Sequence, residues 1–162
     1  MTVEQLGAST LNRKWALDVN TGTDAAPVWT PVRGRSDFTP NLEPTLQDDS
    51  DFDSEGWKSQ TVTAQAWSLA FTVFRKVDPD NPAAYDAGQE ALRLAAAGMG
   101  TENSVHVRWY ETTPGGPRTE AYDGNAAVSW SPAGGGMDAL TSVAVTLTGQ
   151  GRRNVITNPQ PA

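Results

Sequence analysis

The segment QTVTAQAWSLAFTVFRKV, Gln60 to Val77, constrains the fold more than any other. Trp67, Leu69, Phe71 and Val73 fall on one side of it, and Ala66, Ser68, Ala70 and Thr72 on the other. Period-two alternation marks a strand with one buried face. At about 3.3 Å per residue the run would reach ~50 Å if extended throughout. Most strands are shorter, so a bend, or an arm leaving the domain body, is expected. The small and polar second face calls for water or a closely packed neighbour.

The rest of the chain supports a β framework. Asn12–Val19 alternates, with Trp15, Leu17 and Val19 opposite Lys14, Ala16 and Asp18. Val28–Gly34 reads as a short strand that Pro31 confines to an edge or a bulge. DFTPNLEPTL is extended, because Pro40 and Pro44 exclude a helix. Ser104–Glu111, Arg118–Trp130 and Asp138–Gly149 alternate again, separated by the turn sequences PGGP and SPAGGG.

One helix is expected, over about 82–97. Asn81 is its candidate cap, Pro82 its first residue, and Gly98 or Gly100 its end. Tyr85, Gly88, Leu92 and Ala95 share a narrow stripe suited to lying on a sheet. The expected fold is a single mainly β domain over 1–162. It has two packed antiparallel sheets, as a β-sandwich or partly open barrel, with one flanking α-helix. The polar segment around 152–162 reads as a flexible tail, mobile or docked only on a partner.

Charge is distributed unevenly. The net charge is −7, from 19 acidic and 12 basic residues. Seven acids (Asp37, Glu43, Asp48, Asp49, Asp51, Asp53 and Glu55) fall in a stretch without Lys or Arg, leaving 12 acids to balance the 12 bases elsewhere. Tight nucleic-acid binding needs clustered cations, so this balance argues against it. The chain has no Cys, which removes disulfides, thiol catalysis and cysteine-ligated zinc. No apolar run reaches the ~18 residues of a membrane span. The start MTVEQLGAST lacks the basic and apolar regions of a signal peptide, so a cytoplasmic chain is expected.

The acidic run TLQDDSDFDSEGW, Thr45 to Trp57, raises three chemistries. Asp51, Asp53, Glu55 and Gly56 match the first positions of a calcium loop, but its twelfth position is Val62, where a bidentate Glu is required. Starting at Asp49 puts Ser54 sixth and Gln60 twelfth, which fails as well. A glycosidase pair needs two carboxylates held across a partly apolar cleft, and nothing here implies one. A solvated loop or a protein-contact loop remains.

His106 is the only histidine, and it lies on a strand with Arg108 and Tyr110 as a surface or interface residue. There is no G-x-S-x-G elbow and no Walker loop. No catalytic residue, cofactor or metal is expected. Trp15, Trp67, Trp109 and Trp130 belong on core faces. Trp29 and Trp57 sit at loop edges, as sugar-stacking platforms or interface anchors.

The order of segments resembles the major tail protein of long-tailed, non-contractile bacteriophages, the subunit of the tail tube, in its actinobacterial-phage form. NRKWALDVNTGT, FTPNLEPTLQDDSDFDSEGWKSQTVTAQAWSLAFTVFRKV, YDAGQEALRLAAAG, VHVRWYE and EAYDGNAAVSW carry the resemblance. It implies a structural virion protein without enzymatic activity, assembled in a host cytoplasm into hexameric rings that stack into a tube.

The implied partners are the chain itself, the tape-measure protein, and the tail terminator and distal tail proteins. DNA passes through transiently without tight binding, and no membrane is involved. By position, residues around 40–60 correspond to the family's inter-ring loop. The resulting inter-subunit or lumen candidates are Asp48, Asp49, Asp51, Phe52, Asp53, Glu55 and Trp57, with the basic pair Arg152 and Arg153. In an extended chain Asp49, Asp51, Asp53 and Glu55 would share one face, opposite Phe52. The alternatives are the inner tube of a contractile machine and a carbohydrate-binding β-sandwich.

Overall fold

A computed structural model describes residues 2–160. Seven strands follow one another: β1 (Trp15–Asn20), β2 (Trp29–Pro31), β3 (Thr39–Asp48), β4 (Gln60–Phe74), β5 (Ser104–Glu111), β6 (Ala121–Pro132) and β7 (Ser142–Val155). One helix, α1 (Ala87–Ala96), lies between β4 and β5. The strands form one antiparallel sheet in the order β2-β1-β5-β6-β7-β4-β3.

The mainly β, helix-flanked class is as expected, in its partly open barrel form, because both layers belong to one curled sheet. Trp67 on β4 and Trp109 on β5 meet with ring centroids 4.9 Å apart. Two strands separate β4 from β5, which in a flat sheet would hold them ~14 Å apart. The core fills the inside of the curl. It draws Leu17 and Val19 from β1, Val107 and Trp109 from β5, and Val128 from β6. Val143, Val145 and Leu147 come from β7, and Trp67, Leu69, Phe71 and Val73 from β4. These are the alternating apolar positions of each strand, which is why pattern and burial agree.

Two glycines admit the curl. A Cβ on Gly124 would lie 2.6 Å from the Trp67 ring, and one on Gly149 would lie 2.5 Å from it. Any other residue at either position would displace the indole.

The gap between β1 and β4 is sealed by the segment joining β2 to β3. Val32 N–H donates to Leu17 O at 2.9 Å, and Ser36 N–H to Thr72 O at 2.9 Å. The Arg35 guanidinium donates to Trp15 O at 2.9 Å and to Val32 O at 3.1 Å. Phe38 sits between Trp15 and Phe71, at 5.8 and 6.1 Å.

The helix covers one end of the curl with Leu92 buried. It begins at Ala87 rather than Pro82, and Asp86, not Asn81, caps it. The Asp86 carboxylate accepts from Gln89 N–H at 3.3 Å and from Arg33 N–H at 3.2 Å, so a tertiary contact selects the cap. Asn81 instead closes a local turn onto Ala83 N–H at 3.2 Å. The buried Gln89 amide donates to Arg33 O (2.6 Å) and Phe74 O (3.0 Å), pinning the helix to the sheet.

Strand β7 extends six residues beyond the expected end at Gly149, so Arg152 and Arg153 lie within a strand. Beyond it, Asn158 Nδ2 donates to Glu111 O at 2.8 Å, and the Gln160 carboxamide oxygen accepts from Thr113 N–H at 2.8 Å. The segment thus docks on its own chain, because its polar side chains supply partners for the β5–β6 turn. The last two residues of the expected tail, 161–162, lie outside the described residues.

Candidate functional site

Strand β4 serves two structures. Its second half, Ser68–Phe74, pairs with β7 inside the body, while its first half continues past the end of that pairing with β3 alone as partner. The result is a two-stranded arm, exposed along nearly all of β3 and the first seven residues of β4. Leu42, Leu46 and Val62 fall on one face of it, each roughly half exposed. Register shifts between Thr45 and Leu46, leaving Thr63 as a bulge that bends the arm.

Pro40 and Pro44 fit the outer strand of this arm. Ser36 N–H to Thr72 O and Phe74 N–H to Gly34 O show that even-numbered residues of β4 turn their polar groups toward β3. Their partners on β3 are Thr39, Asn41, Glu43 and Thr45, so Pro40 and Pro44 face the open edge. No ladder bond is lost there, and the missing donors blunt the edge against indiscriminate pairing.

The acidic run forms the tip of the arm and is not extended. Phe52–Ser54 make one turn of 3-10 helix capped by Asp51, and Ser54 Oγ donates to Asp51 Oδ1 at 3.0 Å. Glu55 (φ 51°) and Gly56 (φ 84°) then reverse the chain. The single acidic face expected of an extended run is therefore replaced by a compact knob. Local hydrogen bonding decides this, since Ser50, Ser54, Ser59 and Thr61 all find partners within the knob.

Asp48 is held below the usual carboxylate range by Ser50 and then by Lys58, which lies 3.3 Å away. Asp49 is lowered by the Thr61 hydroxyl and then Ser59. Phe52 is fully exposed and Trp57 is 80% exposed. Among the described residues no group of three or more His, Asp or Glu side chains is placed to hold a metal ion.

Arg152 and Arg153 lie elsewhere. Between the pairs Asn125↔Gln150 and Asp123↔Asn154, only Gly124 on β6 faces Gly151, Arg152 and Arg153 on β7. This wide bulge turns the two arginines toward the base of the arm. There they border a groove of about 520 Å³ lined also by Leu42, Gln65, Trp67 and Gly149. Trp67 Nε1 donates to Gly151 O at 3.0 Å, and the Arg153 guanidinium lies 4.0 Å from the Tyr122 ring. Tip and groove are separated by the arm, about 20 Å for the six residues from Leu42 to Asp48. The Gly-x-Gly of Gly149–Gly151 inside an alternating pattern was the available signal for this bulge.

The outer face of the body is the second prominent surface. Across β4, β7 and β6 its rows read Ser68–Thr148–Ala127, Ala70–Thr146–Ser129 and Thr72–Ala144–Ser131. Every member is Ala, Ser or Thr, and none is buried. Pairing strands over a buried core forces these alternate residues outward, where they form a flat, uncharged, hydroxyl-rich surface.

The outer face of β1 and β5 differs. Arg108 donates to Asp18 at 2.9 Å and lies 4.6 Å from the Trp29 ring. His106 sits 3.0 Å from Asp123 and against Trp29 at 4.9 Å. In this half-buried polar cluster Asp18 is paired with Arg108 and Tyr110, and Asp123 Oδ2 with His106, while Asp123 Oδ1 has no hydrogen-bond partner among the described residues.

No protein-family model matches the chain, and no curated protein is similar to it in sequence. Solved structures are similar in fold. A chain in the tail of an empty gene transfer agent particle, refined with helical C6 symmetry, superposes with TM-score 0.68 at 11% identity, over 91% of this chain and 99% of that one. A chain from the virion of the native gene transfer agent gives 0.63 at 10% identity, over 91% and 99%. One from the tube-terminating cap of the anti-feeding prophage gives 0.59 at 10% identity, over 96% of each. At such identities the likeness shows a shared fold, which spans nearly the whole of both chains.

Proposed function

We propose that this chain is a structural subunit, without enzymatic activity, that assembles into sixfold rings stacked as the tail tube of a phage-like particle. One observation carries the reading: the uncharged Ala/Ser/Thr face spread across three adjacent strands. A conduit for DNA must not hold it, and a wall without Lys or Arg offers phosphate no counter-charge. The shared fold with tail chains of C6-symmetric particles supports the same role.

In this reading the hydroxyl-rich face lines the lumen, and the arm reaches a neighbouring subunit. The tape-measure protein occupies the lumen during assembly, and terminator and distal tail proteins close the two ends. The assignment to long-tailed, non-contractile phages of actinobacteria rests on the sequence segments that carry the resemblance. Assembly takes place in the host cytoplasm and the product resides in the virion.

Negative-stain microscopy of the concentrated protein tests this directly. Rings or tubes of constant diameter are expected, and a monomer at every concentration would overturn it. Replacing Thr146 and Ser129 with Lys should leave ring diameter unchanged but give tubes that retain DNA in a salt-dependent way.

A further inference from the structure

We propose that the acidic, aromatic tip of one copy's arm docks in the arginine-bordered groove at the base of another copy's arm, making this the axial contact between successive rings. The inference rests on the tube reading and adds to it a specific pair of surfaces. The tip carries Asp48, Asp49, Asp51, Asp53 and Glu55 against the single cation Lys58. Its exposed Phe52 and Trp57 lie outside the apolar core formed by the described residues.

The groove has the complementary character. Leu42 and Trp67 give it an apolar wall, Arg152 and Arg153 give it positive charge, and no acidic residue lines it. Arg152 is exposed with no ion-pair partner among the described residues, and Arg153 is steadied by the Tyr122 ring. About 520 Å³ accommodates one phenyl side chain with flanking carboxylates. Charge complementarity at the rim with an aromatic anchor in the centre is the usual anatomy of a specific protein contact.

The chain cannot satisfy this contact by itself. The arm holds the tip about 20 Å from its own groove. Tip and groove are different surfaces, so the contact is heterologous, and each subunit that docks a tip presents a fresh one. A heterologous contact closes into a ring only where its rotation returns to the first copy and otherwise runs on as a stack, which is the form proposed for this one.

Charge reversal on each side gives the test, read by microscopy and sedimentation of the full chain. Asp51→Lys with Asp53→Lys should stop assembly at single rings, and so should Arg152→Glu with Arg153→Glu. Combining all four substitutions in one chain should restore tubes. For the wild type, the concentration at which tubes form should rise between ~0.1 and ~1 M salt, as the Debye length falls from ~10 to ~3 Å.

Because the chain has no Cys, Asp53→Cys with Gln65→Cys provides an independent reading. Oxidised assemblies should run as a ladder of covalent multimers that collapses on reduction. Tubes unaffected by either single-side reversal, no rescue in the fourfold variant, or no covalent ladder would each overturn the contact while leaving the tube reading intact. A wild type that forms neither rings nor tubes would overturn the tube reading, and this inference with it.

Discussion

The two halves of β4 share a strand, a backbone geometry and a pattern of alternation, yet they meet opposite fates. From Trp67 to Phe74 every second residue is buried, while from Gln60 to Ala66 every residue is exposed. The difference lies in what stands beside and beneath them. The second half is flanked by β7 and meets β5 across the curl through Trp67 and Trp109, with Phe38 between Phe71 and Trp15 of β1, whereas the first has only β3. A two-stranded ribbon is marginal in water without a surface to lie on. The body therefore stores stability, and the arm leaves its side chains uncovered in the single chain.

The widest separation is expected from truncations at matched positions. Leu69→Ala in the body should cost about 3–4 kcal/mol in urea denaturation of the monomer. Leu46→Ala in the arm should cost less than ~1 kcal/mol, while lowering the yield of tubes. Equal costs would mean that the arm is packed in the free chain. Hydrogen exchange sharpens the same contrast, with amides of residues 60–66 exchanging far faster than those of 68–74.

A smaller effect is expected where the arm joins the body. Gly149→Ala should cost about 1–3 kcal/mol, because its Cβ would meet the Trp67 indole. The same change would also disturb the groove, so tube yield should fall with stability.

Helix anchoring comes next. Asp86→Ala should cost about 1–2 kcal/mol, through loss of the cap and of the contact with Arg33. Asn81→Ala should stay within ~0.5 kcal/mol. The reverse order would restore the helix boundary expected from local sequence.

The smallest effect concerns acid. Glu90 is lowered to about 2, chiefly by Arg93 and also by Arg75. Its depressed folded-state pKa means that its contribution is complete above the ordinary value of 4.5 and disappears as pH falls toward 2. Solvent screening limits this to about 1 kcal/mol. Glu90→Gln should flatten the stability profile of the body in that window while leaving tip-mediated assembly at neutral pH unchanged.

Much of the body was legible because burial follows alternation. Trp15, Leu17, Trp67, Leu69, Trp109 and Val145 each sit where a period-two reading places them. Strand β5 has the same limits in pattern and structure, Ser104–Glu111. The helix start was not legible, since Asn81 and Asp86 are both competent caps and only the contact with Arg33 chooses between them. The C-terminal segment misled for a related reason. Polar side chains that look solvated in sequence find backbone partners at Glu111 and Thr113 only after the chain has folded.

The candidate residues divide in the same way. The concentration of charge in one segment, and the exposure of Phe52 and Trp57, follow from composition around Asp48–Glu55. The shape of that segment does not, because a knob or a ribbon depends on which hydroxyls reach which carboxylates.

By itself the sequence determined the β class, the apolar face of each strand, the small-residue face opposite it, and the position of the acidic run between two strands. Those properties are local, set by residue type and a two-residue period. Only the tertiary structure decided that two layers are one curled sheet, that half of β4 leaves the body, and that a bulge turns Arg152 and Arg153 into a groove away from the acids. Those outcomes depend on which strands become neighbours and on whether a ring such as Trp67 can fit between glycines, and neither is written in any single segment.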